Sequence, residues 1–353
     1  MTTPFLLPPL RTTSQGTPRR VGVELEFADL DAPSAAACVH RLFGGSVTVE
    51  NPHRCLVTET RLGDFTVELD MRSAHKGKGG AAILDLLRPL WGNIGSLVMP
   101  FEIAAPPVTV EQMPELEEMV ARLRALGAAG TEASPLFAFG LHFNPEVART
   151  DGDYLLDTLK AFLLLAPWLR REIRVDVTRR LSGFIAAFPT PYAAKVVDPG
   201  YRPDLGGLID DYLADNPTRN RELDLFPLFA HLDRDRLAAA MEDPHIRPRP
   251  TFHYRLPNAR LSDPNWSLAA DWNRWVAVER LAADRALLDG LGTEYRRAAE
   301  AQQLDGWAER IDAVLTVNPG IHGAGADAGA DRAGHVDGVD GVDGVDDPAR
   351  QAG

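Results

Sequence analysis

Glu24 and Glu26 lie in the run RVGVELEFA (20–28), Glu68 in GDFTVELD (63–70) and Glu102 in LVMPFEIAA (97–105). His142 lies in LFAFGLHFN (136–144), and His253 and Arg255 lie in PTFHYRL (250–256). Each run reads as a strand, and alternate residues of a strand point to opposite faces of its sheet. Val21, Val23, Leu25 and Phe27 therefore share one face, with Gly22, Glu24 and Glu26 on the other. Phe65, Val67 and Leu69 oppose Glu68 and Asp70, while Phe101 and Ile103 oppose Glu102. Phe139, Leu141 and Phe143 oppose His142 and Asn144; Phe252 and Tyr254 oppose His253 and Arg255. An ordinary antiparallel sheet, dry on one side and wet on the other, accounts for the alternation. It does not account for a wet side dominated by acids and imidazole rather than Lys, Ser and Thr. Carboxylates set this close repel unless they are protonated or bridged by cations. Carboxylate oxygens with one or two imidazoles suit magnesium or manganese better than structural zinc.

A second group is basic. Arg179 and Arg180, then Arg219 and Arg221 in NPTRNR, then Arg247, Arg249 and Arg255 in RPRPTFHYR, fall in three short loops or strand edges. Guanidinium forks match phosphate oxygens bidentately, so arginines near a divalent cation cluster point to a nucleoside triphosphate. Pairing with surface acids is the competing explanation for about half of them. Pro217, Pro248 and Pro250 stiffen these loops. HKGKGG (75–80) lacks the spacing of a phosphate-binding loop and reads as a connection. Trp266, Trp272 and Trp275, at near-helical spacing, read as core packing.

The elements that must position these residues alternate along the chain. Between the strands, helices are expected over Ala35–Leu42, Ala82–Trp91, Val110–Leu126, Tyr154–Arg174, Asp233–Met241, Leu268–Leu288 and Gly292–Leu315. Asp31 and Asp151 are placed to cap the first and fourth, and the last two form a hairpin. Residues 17–316 contain no linker and read as one α+β domain. Residues 1–16, rich in Pro, Thr and Ser, read as a flexible leader, and 317–353 as a disordered Gly/Ala/Asp tail. The tail's VDGVDGVDGVDD lacks the ligand spacing of a calcium loop.

The net charge of −13, from 37 basic and 50 acidic residues, argues against nucleic acid as a partner. The nine-residue apolar run AFLLLAPWL cannot span a bilayer, and the amino terminus lacks a signal-peptide pattern, so no membrane partner is expected. Cys38 and Cys55 have no metal or redox spacing and read as reduced thiols of a cytoplasmic protein.

GVELEF resembles the paired-glutamate strand that opens the glutamine synthetase and glutamate–cysteine ligase superfamily. FEIAAPP resembles its second acidic strand, FGLHFNPE its histidine strand and RPTFHYRLPN its late arginine strand. With VDVTRR and NPTRNRELDLFPLF in the same order, the chain from Arg20 to about Leu288 resembles the amidoligase family of carboxylate–amine ligases. The resemblance implies a glutamine synthetase-like fold: a curved antiparallel sheet of about six strands, with helices packed on one face. That sheet would cradle ATP and two or three magnesium ions. It implies that ATP phosphorylates a substrate carboxylate and that an amine displaces the phosphate to leave an amide, on small-molecule or peptide substrates. Glu24, Glu26, Glu68, Glu102, His142 and His253 would hold the metals. Arg255, with Arg180 and Glu68, would act at the reacting centre, and Arg179, Arg219, Arg221, Arg247, Arg249 and Asn144 would hold the nucleotide. The superfamily carries an acid where this chain has His253, a departure that hints at manganese because magnesium prefers oxygen. A guanidino kinase of the phosphagen type on the same fold, or a non-catalytic ATP- and metal-binding module, are the alternatives.

Overall fold

The computed structural model describes residues 3–69, 100–133, 139–175, 185–241, 243 and 246–323. The expected helix Ala82–Trp91, the HKGKGG run, Arg179 and Arg180 lie outside the described residues. Within them the architecture is mixed α+β. Nine strands form one sheet whose main path runs β2 (Ser46–Asn51), β3 (Arg54–Thr60), β4 (Gly63–Leu69), β5 (Phe101–Ala104), β1 (Arg20–Phe27), β7 (Leu141–Pro145), β9 (His253–Tyr254) and β8 (Leu223–Asp224). The short β6 (Val108–Thr109) also pairs with β1, and these strand pairs are antiparallel.

The sheet is larger than the six strands expected, because β2, β3, β6 and β8 carry weak strand signals. β2 is an edge strand exposed along its whole length, so it has no buried face to impose alternation. β6 and β8 are two residues each.

The alternation does predict the dry face. Val21, Val23, Leu25, Phe27, Phe65, Val67, Ile103, Leu141, Phe143, Phe252 and Tyr254 are all buried. Helix α1 (Ala32–Phe43) packs on β3 and β4. A late helix, Leu268–Ala283, lays Trp272 against Phe143 and Trp275 against Phe252 and Tyr254. The tryptophans are core residues, as their spacing suggests.

Local chemistry sets the helix ends. Asp31 accepts the Ser34 N–H and Asp151 the Tyr154 N–H, so their helices start at Ala32 and Gly152. The expected two-helix hairpin is instead three helices, Leu268–Ala283, Arg285–Glu300 and Trp307–Val317. The first break falls at Asp284, whose carboxylate accepts the Leu287 N–H and starts a new helix. At the second, Gln302 and Gly306 take positive φ, which ends a helical run.

The amino-terminal segment departs from a flexible leader. Leu6 is buried, its carbonyl accepts from Trp272 Nε1 at 2.9 Å, and its N–H donates to Asn273 Oδ1 at 2.8 Å. Proline and threonine content suggested mobility, but Phe5, Leu6 and Leu7 supply apolar surface that the core takes up. Likewise the start of the expected tail is ordered: Pro319–His322 is helical, Ile321 is buried, and the Gly323 carbonyl accepts from Arg280. Residues 324–353 lie outside the described residues. Among those described, no helix is long and apolar enough to cross a membrane, and both cysteines are free and buried.

Candidate active site

Strand register assembles the site. Glu26 on β1 stands opposite Glu102 on β5, and Glu24 stands opposite His142 on β7. Phe143 pairs with Tyr254, which sets Asn144 against His253 on β9. Glu24, Glu26, Glu102, His142 and Asn144 thereby fall on three adjacent strands, each within one or two residues of the next. Glu24, Glu26, Glu102, His142 and His253 are all nine-tenths or more buried.

Two groups of potential ligand atoms result. Glu24, His142 and His253 form one, and Glu26, Glu102 and His142 the other; within each, the atoms lie within 4.8 Å of one another. His142 belongs to both. The donor set of carboxylate oxygens and imidazole nitrogens fits a divalent cation of the magnesium or manganese type.

Hydrogen bonds orient these groups. Asn144 Nδ2 donates to Glu24 Oε1 at 3.1 Å, and its Oδ1 lies 2.7 Å from His253 Nδ1. An amide oxygen only accepts, so His253 carries its proton on Nδ1 and keeps a lone pair on Nε2. Burial holds the His253 pKa well below the usual histidine value, consistent with a neutral ring able to ligate a cation. His142 Nδ1 lies 3.3 Å from Glu24 Oε2. Burial pushes the Glu24 carboxyl up, but the His142 hydrogen bond and the Arg249 guanidinium hold it well below the usual range. Glu26 Oε2 accepts the Gly140 N–H at 2.7 Å, which fixes the carboxylate beside Glu102. Gly22 leaves room for this arrangement, since a Cβ there would come within 3.3 Å of Asn144 Cβ.

Glu68 does not join the cluster. It faces Glu102 in register, but its carboxylate pairs with Arg54, directly across on β3, which also pairs with Glu50. The sequence reading overlooked Arg54 because it left β3 unassigned, and an unassigned strand gives no register.

The arginines divide. Arg249 Nη1 lies 3.4 Å from Glu24 Oε1, at the edge of the first ligand group. Arg255 is half-buried in the field of Asp224, Glu26 and Glu24, and its Nη1 donates to the Arg219 carbonyl at 2.8 Å. Arg219 in turn pairs with Asp243 at 3.3 Å. Arg221 turns away: its guanidinium bonds the Ala187 carbonyl and lies 5.6 Å from the Phe188 ring centroid. Arg247 is exposed and pairs with none of the described acids. Asn144, expected at the nucleotide, instead links Glu24 to His253.

Asp224 was missed altogether. It is fully buried on β8, opposite His253 in register. Burial raises its pKa to about 6, against the charges of Arg255, Arg219 and Arg249. The alternation of Glu222 and Asp224 with Leu223 and Leu225 in RELDLF was the available signal, and two paired residues were too few to claim it.

A family model described as "putative amidoligase enzyme" matches residues 17–277, which is more than half of the chain and includes every member of both ligand groups. No curated protein and no solved structure matches the sequence.

Proposed function

The chain belongs to the amidoligase family, and on that premise we propose that it is an ATP-dependent carboxylate–amine ligase with a glutamine synthetase-like catalytic fold. The observation that carries this reading is the pair of ligand groups sharing His142, with Arg249 and Arg255 beside them on one sheet face. Phosphoryl transfer is catalysed by positioning and charge more than by a protein nucleophile, and such a face offers both.

In this reading Glu26, Glu102 and His142 would hold one magnesium or manganese ion, and Glu24 and His253 would hold a second, since the single lone pair of a neutral imidazole serves one cation. Bound there, the metal supplies neutralising charge for the phosphate oxygens. Arg219, Arg249 and Arg255 bind the phosphates, and Arg255 neutralises the group in transit. A substrate carboxylate oxygen attacks the γ-phosphorus, the bond to the β–γ bridging oxygen breaks, and ADP leaves. The amine then attacks the acyl carbon, a C–N bond forms, the bond to phosphate breaks with its electron pair leaving on phosphate, and the proton lost by the nitrogen passes to that phosphate. Burial of the face excludes water, which would otherwise hydrolyse the acyl phosphate. The substrates are a small-molecule or peptide carboxylate and an amine, and the reaction belongs to the cytoplasm.

Phosphate oxygens complete a magnesium ion's coordination, so nucleotide and metal should bind synergistically. The melting temperature should rise more with Mg-ATP, or Mn-ATP, than the separate gains from metal and from ATP added together. Strict additivity would remove the basis of the proposal.

A further inference from the structure

Asp224 is the carboxylate that the three site arginines share. Each arginine has an acidic neighbour of its own: Asp243 for Arg219, Glu24 for Arg249 and Glu26 for Arg255. All three also act on Asp224, whose side chain has no solvent exposure. Asp224 Oδ1 accepts the Phe226 N–H at 2.9 Å, which fixes the carboxylate at the end of β8. Its Oδ2 makes no hydrogen bond with any described residue, and Arg219 Nε is 3.9 Å away. The buried Nε atoms of Arg219 and Arg249 likewise have no acceptor among the described residues. A buried carboxylate held by the field of three guanidiniums, yet bonded directly to none of them through Oδ2, stands where a ligand anion would be drawn.

We propose that Asp224 is a resident counter-anion: it holds Arg219, Arg249 and Arg255 together before a phosphate-bearing ligand arrives, and competes with that ligand for their charge. It is thus a positioning residue that sets how tightly the arginines grip phosphate oxygens. Strong attraction without such a competitor would slow release of the product anions. The inference rests on the proposed function only in taking these arginines as the phosphate site.

Inorganic pyrophosphate, offered to the full chain without divalent metal, nucleotide or amine, is the probe. D224N should melt below the wild type without ligand, because three partly buried guanidiniums lose a common counter-charge. It should bind pyrophosphate at least tenfold more tightly by calorimetry, and its melting temperature should gain more from pyrophosphate than the wild type's. Equal or weaker binding by a D224N protein with native circular dichroism would overturn the proposal, as would binding to neither protein. Should D224N fail to fold, the variant D224N/R219Q removes one charge of each sign and should recover folding; failure of both would make Asp224 a steric requirement and refute the electrostatic role. A protein without ligase activity that shows the D224N effect retains the inference. A working ligase whose pyrophosphate affinity ignores Asp224 loses it.

Discussion

Asn144 Oδ1 lies 2.7 Å from His253 Nδ1, and the same amide gives its Nδ2 to Glu24 at 3.1 Å. One neutral side chain therefore fixes the tautomer of a histidine and the orientation of a carboxylate on two different strands. Groups that orient ligands in this way typically contribute 10- to 100-fold to metal affinity. N144L should fold, with about 1–3 kcal/mol lost from the unsatisfied partners. Its manganese affinity, titrated by electron paramagnetic resonance with ATP present, should fall by about 10–100-fold. G22A, whose Cβ would press on Asn144, should lower affinity in the same direction. An N144L protein with unchanged affinity would mean that the relay is incidental.

Glu68 and Glu26 flank Glu102 on opposite sides, yet only Glu26 belongs to a ligand group. E26Q and E102Q should each lower turnover by at least about 100-fold. E68Q, which breaks a half-exposed pair with Arg54, should leave turnover within a few-fold and cost about 0–1 kcal/mol in urea denaturation. Equal losses in steady-state assays of the three variants would return Glu68 to the metal site.

Much of this was readable from strand periodicity. Val21, Val23, Leu25 and Phe27 alternate with Gly22, Glu24 and Glu26 because one side of β1 lies in the hydrophobic core, and that same alternation sets Glu24 and Glu26 together on the other side. Register was not readable. Whether Glu68 or His142 becomes Glu24's neighbour depends on strand order, and β3, β4 and β7 reach β1 through connections whose closure no local pattern encodes. The arginines were the least legible. Arg219 and Arg221 differ by two positions in one loop, yet one faces Asp224 and the other Phe188. Asp224 was hidden because two paired residues carry no period.

The chain ends give a stability test. L6A should cost about 2–3 kcal/mol, the low end for a buried leucine. Truncation after Leu315 removes buried Ile321 and the Gly323 carbonyl that accepts from Arg280. It should lower the melting temperature relative to truncation after Gly323. Calorimetric curves that superimpose would restore the reading of both ends as free appendages.

Lys160 provides a pH test far from the acidic cluster. Its side chain is fully buried, with Nζ donating to the Asp198 carbonyl at 2.6 Å, and burial lowers its pKa to about 8. Between about pH 8 and the ordinary lysine value near 10.4, the unfolded chain holds a proton that the native state has released. Linkage then makes stability rise with pH across that window, while below it both states are charged and the burial cost is felt in full. Urea denaturation of the wild type should gain stability from pH 8 to 10 relative to K160M. Parallel profiles would show that Lys160 is solvated or paired in its charged form.

The central claim is tested most directly by trapping the activated carboxylate. The protein is incubated with Mg-ATP or Mn-ATP, a panel of carboxylates and hydroxylamine as a small nucleophilic amine, and the mixture is read by mass spectrometry together with ADP and phosphate release. The account predicts a hydroxamate that has lost one water relative to its two precursors. It should form only with ATP, in step with equal amounts of ADP and phosphate, and R255K should abolish it because a point charge cannot replace the guanidinium fork. A phosphorylated product that persists without any amine would make the protein a kinase, and a hydroxamate formed equally well without ATP would contradict the account outright.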